Sequence, residues 1–171
     1  IFFMGHREVP LEASQKEELL AFVREGKGFV AAHVGLTALE SWPEFGELIG
    51  ARFDGHPITG AGVVINENPA FPATRHLPAS FAFNDEFYRP KTYSRDKIDV
   101  LLRLEVKPGD ARANNPEGDY PLAWAKTYGK GRVFYGAFAH SSATWDHRGI
   151  QQMHFAPLCC ARRPPTSSSR S

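Results

Sequence analysis

The sequence predicts an α/β protein built on a mixed sheet, and three observations carry that expectation. A strand, a helix and a second strand alternate before His33: the apolar opening Ile1 to Met4, a loop and helical stretch, then Phe29 to Ala32. For parallel strands joined through a helix, a right-handed crossover is the default. Two further apolar-rich runs, Tyr120 to Tyr128 and Gly131 to His140, are separated only by Gly129 and Lys130. So short a join predicts an antiparallel hairpin near the C-terminal end. A chain of 171 residues is one domain, long enough to bury a sizeable core.

Taken in order, Ser14 and Glu17 form a capping-box pattern that opens the first helix. Leu19, Phe22 and Val23 form its core stripe, and Gly26 sits where a left-handed C-terminal cap is wanted. Ser41 and Glu44 repeat the box around Pro43; Trp42, Phe45, Leu48 and Ile49 give the second helix its apolar face, and Gly50 ends it. Arg52 and Phe53 are a short extended piece before a glycine-proline turn that carries His56. Val63 to Ile65 is a strand, Glu67 to Pro78 a loop with at most one helical turn, and Phe81 to Tyr88 an alternating run. In the strand Ile98 to Val106, Val100, Leu102 and Leu104 alternate with Leu101, Arg103 and Glu105. Lys107 to Asp119 is a turn-rich loop of a length that suits a flexible insert or a lid. A last helix is expected from Gly149 to Phe155, closing a domain over residues 1–155. Residues 156–171, rich in Pro, Ser and Arg, read as a disordered tail.

Composition excludes several classes. With 20 basic and 19 acidic side chains the net charge is +1, so no bulk field steers the chain to nucleic acid or anionic lipid. No apolar run approaches the ~20 residues that span a bilayer. The only two cysteines, Cys159 and Cys160, are adjacent, which excludes a disulfide scaffold and a four-thiolate zinc site. IFFM reads as the tail of a buried strand, and the chain opens at Ile1 without an initiator Met. No signal peptide is visible, which favours the cytoplasm unless a leader preceded Ile1. The loop GHREVP lacks the composition of a phosphate cradle, and no GxGxxG follows a strand.

Histidines mark the candidate site. His33 sits at the tip of an apolar strand before a glycine-relieved turn. Strand carboxyl ends in an open α/β sheet face a crevice, so His33 either faces a pocket or caps the sheet. His140 also ends an expected strand, ahead of Ser141 and Ser142, and suits a general base, a proton shuttle or a metal ligand. If the two strands lie close, both imidazoles share one crevice. Asp85 and Glu86 point to opposite faces of a strand; with Phe81 and Phe83 inward, Asp85 is structural and Glu86 is the site carboxylate. Tyr88 and Trp145 are either sugar-stacking walls or core. His56 is either a substrate contact or a turn histidine bonded to a nearby carbonyl; His6 is a loop residue, His76 a turn cap, and His147 and His154 surface or helix positions. His33, His56 and His140 with Asp85 or Glu86 would suit zinc or a similar ion, although no HExxH spacing is present.

Five pieces carry a family resemblance: GKGFVAAHVG (Gly26 to Gly35), FDGHP (Phe53 to Pro57), DEFY (Asp85 to Tyr88), YPLAW (Tyr120 to Trp124) and GKGRVFYGAFAHSSATW (Gly129 to Trp145). In order and spacing, from Ile1 to Phe155, the chain resembles the ThuA-like (trehalose-utilisation) family. The resemblance implies a flavodoxin-like three-layer sandwich akin to class I glutamine amidotransferases. In that wider fold a cysteine nucleophile occupies a strand-to-helix elbow and a later histidine is its base. Here the matching positions are His33 and His140, and glutaminase chemistry needs the missing thiolate. The family usually has a further strand and loop upstream of Ile1 and a Trp-containing segment where this chain has Ala156 onward. The implied function is carbohydrate utilisation, on trehalose or a related disaccharide or keto-sugar, by a hydrolase- or isomerase-like enzyme. His33 and His140 would transfer protons, Glu86 or Asp85 would orient a hydroxyl, and His56, Asp85, Tyr88 and Trp145 would contact substrate, with a divalent metal such as zinc as an aid. The alternatives are a non-catalytic sugar-binding or regulatory module and a truncated chain with little function. A small carbohydrate is the expected partner, nucleic acid and membrane are not, and assembly as a homo-oligomer is left open.

Overall fold

The computed structural model describes residues 1–56, 58–106 and 118–160. In chain order the elements are β1 (Phe2–Phe3), α1 (Ala13–Arg24), β2 (Gly28–Ala32), a 3-10 turn (His33–Thr37), α2 (Pro43–Ile49), β3 (Arg52–Phe53), β4 (Ile58–Asn66), β5 (Ser80–Phe87), β6 (Pro90–Lys91), β7 (Asp99–Glu105), β8 (Pro121–Tyr128), β9 (Gly131–Gly136), α3 (Ser142–Asp146) and α4 (Arg148–Cys160). Seven strands form one sheet in the order β1-β2-β9-β8-β7-β4-β5. The first three are parallel and the remaining neighbours antiparallel, a mixed sheet consistent with the expected flavodoxin-like α/β fold. Successive strand residues face opposite sides. Phe29 therefore meets Phe45 of α2 at 6.0 Å between ring centroids, whereas Phe134 meets His154 of α4 at 6.3 Å on the other face. The expected hairpin is present, with β8 and β9 joined through Gly129 and Lys130. No helix among the described residues is long and apolar enough to cross a membrane.

Several local expectations are corrected. The first helix is capped by Glu12 and Gln15, not Ser14 and Glu17, with the Gln15 side chain accepting the Glu12 N–H at 2.9 Å. Both pairs have the same spacing, and the earlier one starts the helix at Ala13. Its buried residues are Leu20 and Val23, while Phe22 is exposed. Ser41 does not cap α2; its N–H and hydroxyl both donate to the Glu8 carboxylate at 2.9 Å. The β7 alternation fails because register shifts on either side of Leu102 leave Val100, Leu101 and Leu102 all buried. The IFFM segment is an edge strand with Ile1, Phe2 and Met4 exposed, not a buried one.

At the C-terminal side, β9 stops at Gly136, the partner of the last β2 residue, so His140 lies beyond the strand rather than at its tip. The short helix α3 was not expected. Helix α4 passes Phe155 and continues to Cys160, so Ala156–Cys160 are helical rather than tail. Residues 107–117 of the expected lid, and the tail from 161, lie outside the described residues.

One departure from a flat sheet places the site. β4 pairs with β7 only through Val63–Asn66, so Ile58–Gly62 pair with β5 alone. Gly60, at φ 119°, takes a conformation that side chains rarely adopt and frees this two-stranded arm to bend. The arm folds back across the ends of β2 and β9: Phe83 and Phe87 pack their rings on Phe138 at 5.4 and 6.3 Å. A second two-stranded piece, β3 with β6, ties the turn before His56 to Tyr88 and Arg89.

Candidate functional site

The parallel register Ala32↔Gly136 sets residue 33 beside residue 137. His33 Nδ1 lies 2.6 Å from the Ala137 carbonyl oxygen. A carbonyl only accepts, so Nδ1 carries the proton and Nε2 the lone pair. His33 sits at φ 40°, and the Tyr135 hydroxyl donates to its carbonyl at 3.1 Å. The ring is 1% exposed, with the Tyr88 ring 4.1 Å away. Burial lowers its pKa most and His140 adds to the effect, against the Ala137 carbonyl, Asp85 and Glu86. The neutral imidazole is therefore favoured.

Two atoms converge in front of that lone pair and form a triangle with it. His33 Nε2 is 3.4 Å from Glu86 Oε2 and 3.3 Å from His140 Nδ1, and His140 Nδ1 is 3.1 Å from Glu86 Oε2. Two of these atoms, His33 Nε2 and the carboxylate oxygen, are acceptors facing one another. A proton on His140 Nδ1 can be shared between them, and so could a cation. These three residues also form a group able to hold a metal ion. Glu86, not His56, completes the set: His56 Nδ1 approaches the other carboxylate oxygen, Oε1, at 3.5 Å.

Glu86 is 14% exposed, whereas His140 and His56 are 52% and 54% exposed, so the cluster opens outward through its histidines. A cavity of about 340 Å³ lies against it, lined by Glu86, Tyr88, His56, Phe53, Arg7 and Glu40 among others. Burial first, and then Glu86, push the Tyr88 phenol up to about 12, so it stays protonated near neutral pH. Two larger cavities, of about 790 and 890 Å³, contain none of the three clustered residues. The larger volumes are therefore not where the titratable groups converge.

The other candidates fall outside the cluster. Asp85 turns to the opposite face, is 6% exposed, and accepts the Ala139 N–H at 3.1 Å. Trp145 packs on His154 at 5.5 Å and on Phe2 at 6.2 Å. His76 does not cap its own turn; it bonds the Gly149 carbonyl at 2.9 Å and so tethers its loop to α4. His6 lines the cavity and His147 is exposed.

His154 lies on helix α4, one of its two expected placements, but is fully buried rather than at the surface, and bonds the Phe138 carbonyl at 3.2 Å. Its spacing from Ile150 and Met153, both buried, is the helical signal that marks an inward face. Burial lowers its pKa to about 4. The unfolded chain, titrating near 6.5, binds a proton that the folded chain refuses across that interval. This contribution is complete above about pH 6.5 and is lost as pH falls toward about 4, by on the order of 3 kcal/mol. The melting temperature is expected to drop more between about pH 7.5 and about pH 5 in the parent than in His154→Gln, as scanning calorimetry would record.

The family described as ThuA, trehalose utilisation, matches residues 1–158. No curated protein matches the chain. Among solved structures, a protein described as ThuA-like from Parabacteroides merdae is 18% identical with a TM-score of 0.74, covering 91% of this chain and 67% of its own. One from Bacteroides uniformis is 22% identical with a TM-score of 0.69, covering 91% and 66%. A β-galactosidase from Bacillus circulans is 15% identical with a TM-score of 0.56, over 92% of this chain and 21% of that enzyme. The chain thus spans about two thirds of the two ThuA-like proteins, and these likenesses establish the fold. With the family match running across nearly the whole chain, the protein belongs to the ThuA (trehalose utilisation) family.

Proposed function

We propose that the chain acts on a carbohydrate, trehalose or a related disaccharide or keto-sugar, by acid/base chemistry centred on His33, Glu86 and His140. The observation that carries this reading is the triangle of His33 Nε2, Glu86 Oε2 and His140 Nδ1, with sides of 3.1, 3.3 and 3.4 Å, beside a cavity. Membership of a family described as trehalose utilisation supports a sugar as the substrate. His140, half exposed, exchanges a proton with substrate. Glu86 balances the charge that His140 then carries, and in the resting state the buried lone pair of neutral His33 accepts a hydrogen bond from His140 Nδ1–H. The Oε1 oxygen of Glu86, facing His56, orients a sugar hydroxyl, and Phe53, backed by the buried Tyr88 ring at 4.6 Å, forms an apolar wall for a ring face.

The same atoms suit a divalent ion such as zinc. Ligands on a tetrahedral ion with bonds of about 2.0–2.1 Å lie about 3.3 Å apart, close to the measured spacing. His33 has the second-shell carbonyl contact typical of a ligating imidazole. When bound, such an ion polarises a substrate oxygen and lowers the pKa of its water.

The test is product analysis by NMR after incubating the parent, His33→Ala and His140→Ala with trehalose, other disaccharides and their keto derivatives. The parent is expected to convert at least one, and each variant to fall below roughly a hundredth of its rate. Unchanged turnover in both variants overturns the reading, and tight binding without turnover by the parent identifies a sugar-binding module instead.

A further inference from the structure

The segment that leads from β9 to His140 is held at three consecutive residues by three buried side chains from separate elements. His33 Nδ1–H donates to the Ala137 carbonyl at 2.6 Å, and His154 Nε2–H from α4 donates to the Phe138 carbonyl at 3.2 Å. Asp85 Oδ2 from β5 accepts the Ala139 N–H at 3.1 Å. Asp85 and His154 are 6% and 0% exposed. Each leaves a second polar atom, Oδ1 or Nδ1, buried without a partner among the described residues. An apolar residue would fill either place without that desolvation cost. Ala139 itself lies at φ 111°, a conformation that a residue with a side chain keeps only when its surroundings enforce it. The next residue is His140, whose ring direction follows from that backbone. Gly136 completes the arrangement, because a Cβ there would meet His154 Cε1 at 2.7 Å and push α4 away.

We propose that Asp85 and His154 are positioning residues. They fix the backbone over 137–139 so that His140 Nδ1 stays within reach of both Glu86 Oε2 and His33 Nε2. This rests on the reading of those three side chains as one site. It gives Asp85 a role on the backbone rather than on substrate, and it gives the buried His154 a role that its place on a helix would not suggest.

The experiment is NMR of the protein labelled in its histidine rings. The parent is expected to show an NOE between ring protons of His33 and His140, whose centroids are 5.3 Å apart. Asp85→Ala and His154→Phe are expected to lose it. Asp85→Asn and His154→Gln are expected to keep it, since Asn supplies an acceptor for Ala139 and Gln a donor for Phe138. An NOE that survives in both Asp85→Ala and His154→Phe overturns the proposal while leaving the site intact. Its absence in the parent overturns the site and the proposal together. If the disruptive variants do not fold, hydrogen exchange in the parent decides. The Ala139 amide is expected to exchange at least about a hundredfold more slowly than in the unfolded chain, and exchange at the unfolded rate overturns the proposal.

Discussion

Replacing Glu86 with glutamine is expected to lower turnover on the converted sugar at least about a hundredfold, the usual scale for losing one acid/base participant. The substitution keeps the size of the side chain and removes its charge. In the parent that charge faces three imidazoles, at 3.1 Å (His140), 3.4 Å (His33) and 3.5 Å (His56). An amide in its place can donate to His33 Nε2 and so close the triangle without a shared proton or cation. Zinc binding, followed by calorimetric titration, is expected to disappear with the charge. The melting temperature is expected to change little, because the site is open on its histidine side. Turnover within twofold of the parent would contradict the role given to Glu86.

Replacing Trp124 with alanine is expected to cost about 3–5 kcal/mol, the range for emptying a large aromatic site in a core. Trp124 is fully buried on β8, its ring 4.3 Å from that of Tyr135, and its indole N–H donates to the Ile49 carbonyl at 2.8 Å. Ile49 ends α2, so one side chain both fills the layer and closes the helix. Truncation leaves a void and an unsatisfied helix carbonyl. Against a total stability of ~5–15 kcal/mol, such a loss brings the chain close to unfolding. Trp124→Phe is expected to recover most of the packing and to keep only the hydrogen-bond deficit, about 1–3 kcal/mol. Chemical denaturation of the three proteins checks both figures, and a loss below about 1 kcal/mol in Trp124→Ala would contradict the packing described.

What was legible in the sequence was local. The strand ending at His33, the hairpin across Gly129 and Lys130, and the helix stop at Gly50 each follow from a few adjacent residues. Strand parity also separated Asp85 from Glu86, and the two carboxylates do face opposite ways. The convergence of Glu86 with the histidines was not legible. Strands β8, β7 and β4 separate β9 from β5 in the sheet, so a flat sheet would hold Glu86 far from His140. Only the bend of the arm beyond Val63 brings them together, and a bend leaves no periodic signal. The Glu12 cap was hidden for a different reason, since Glu12 with Gln15 and Ser14 with Glu17 offer the same chemistry two residues apart.

The most direct test of the shared site is a double-mutant cycle on turnover with Glu86→Gln, His140→Ala and the two combined. Groups acting as one unit give losses that do not add, so the combined variant is expected to be no slower than the worse single one. Losses that multiply would mean that Glu86 and His140 work separately, and the single-site account would be contradicted.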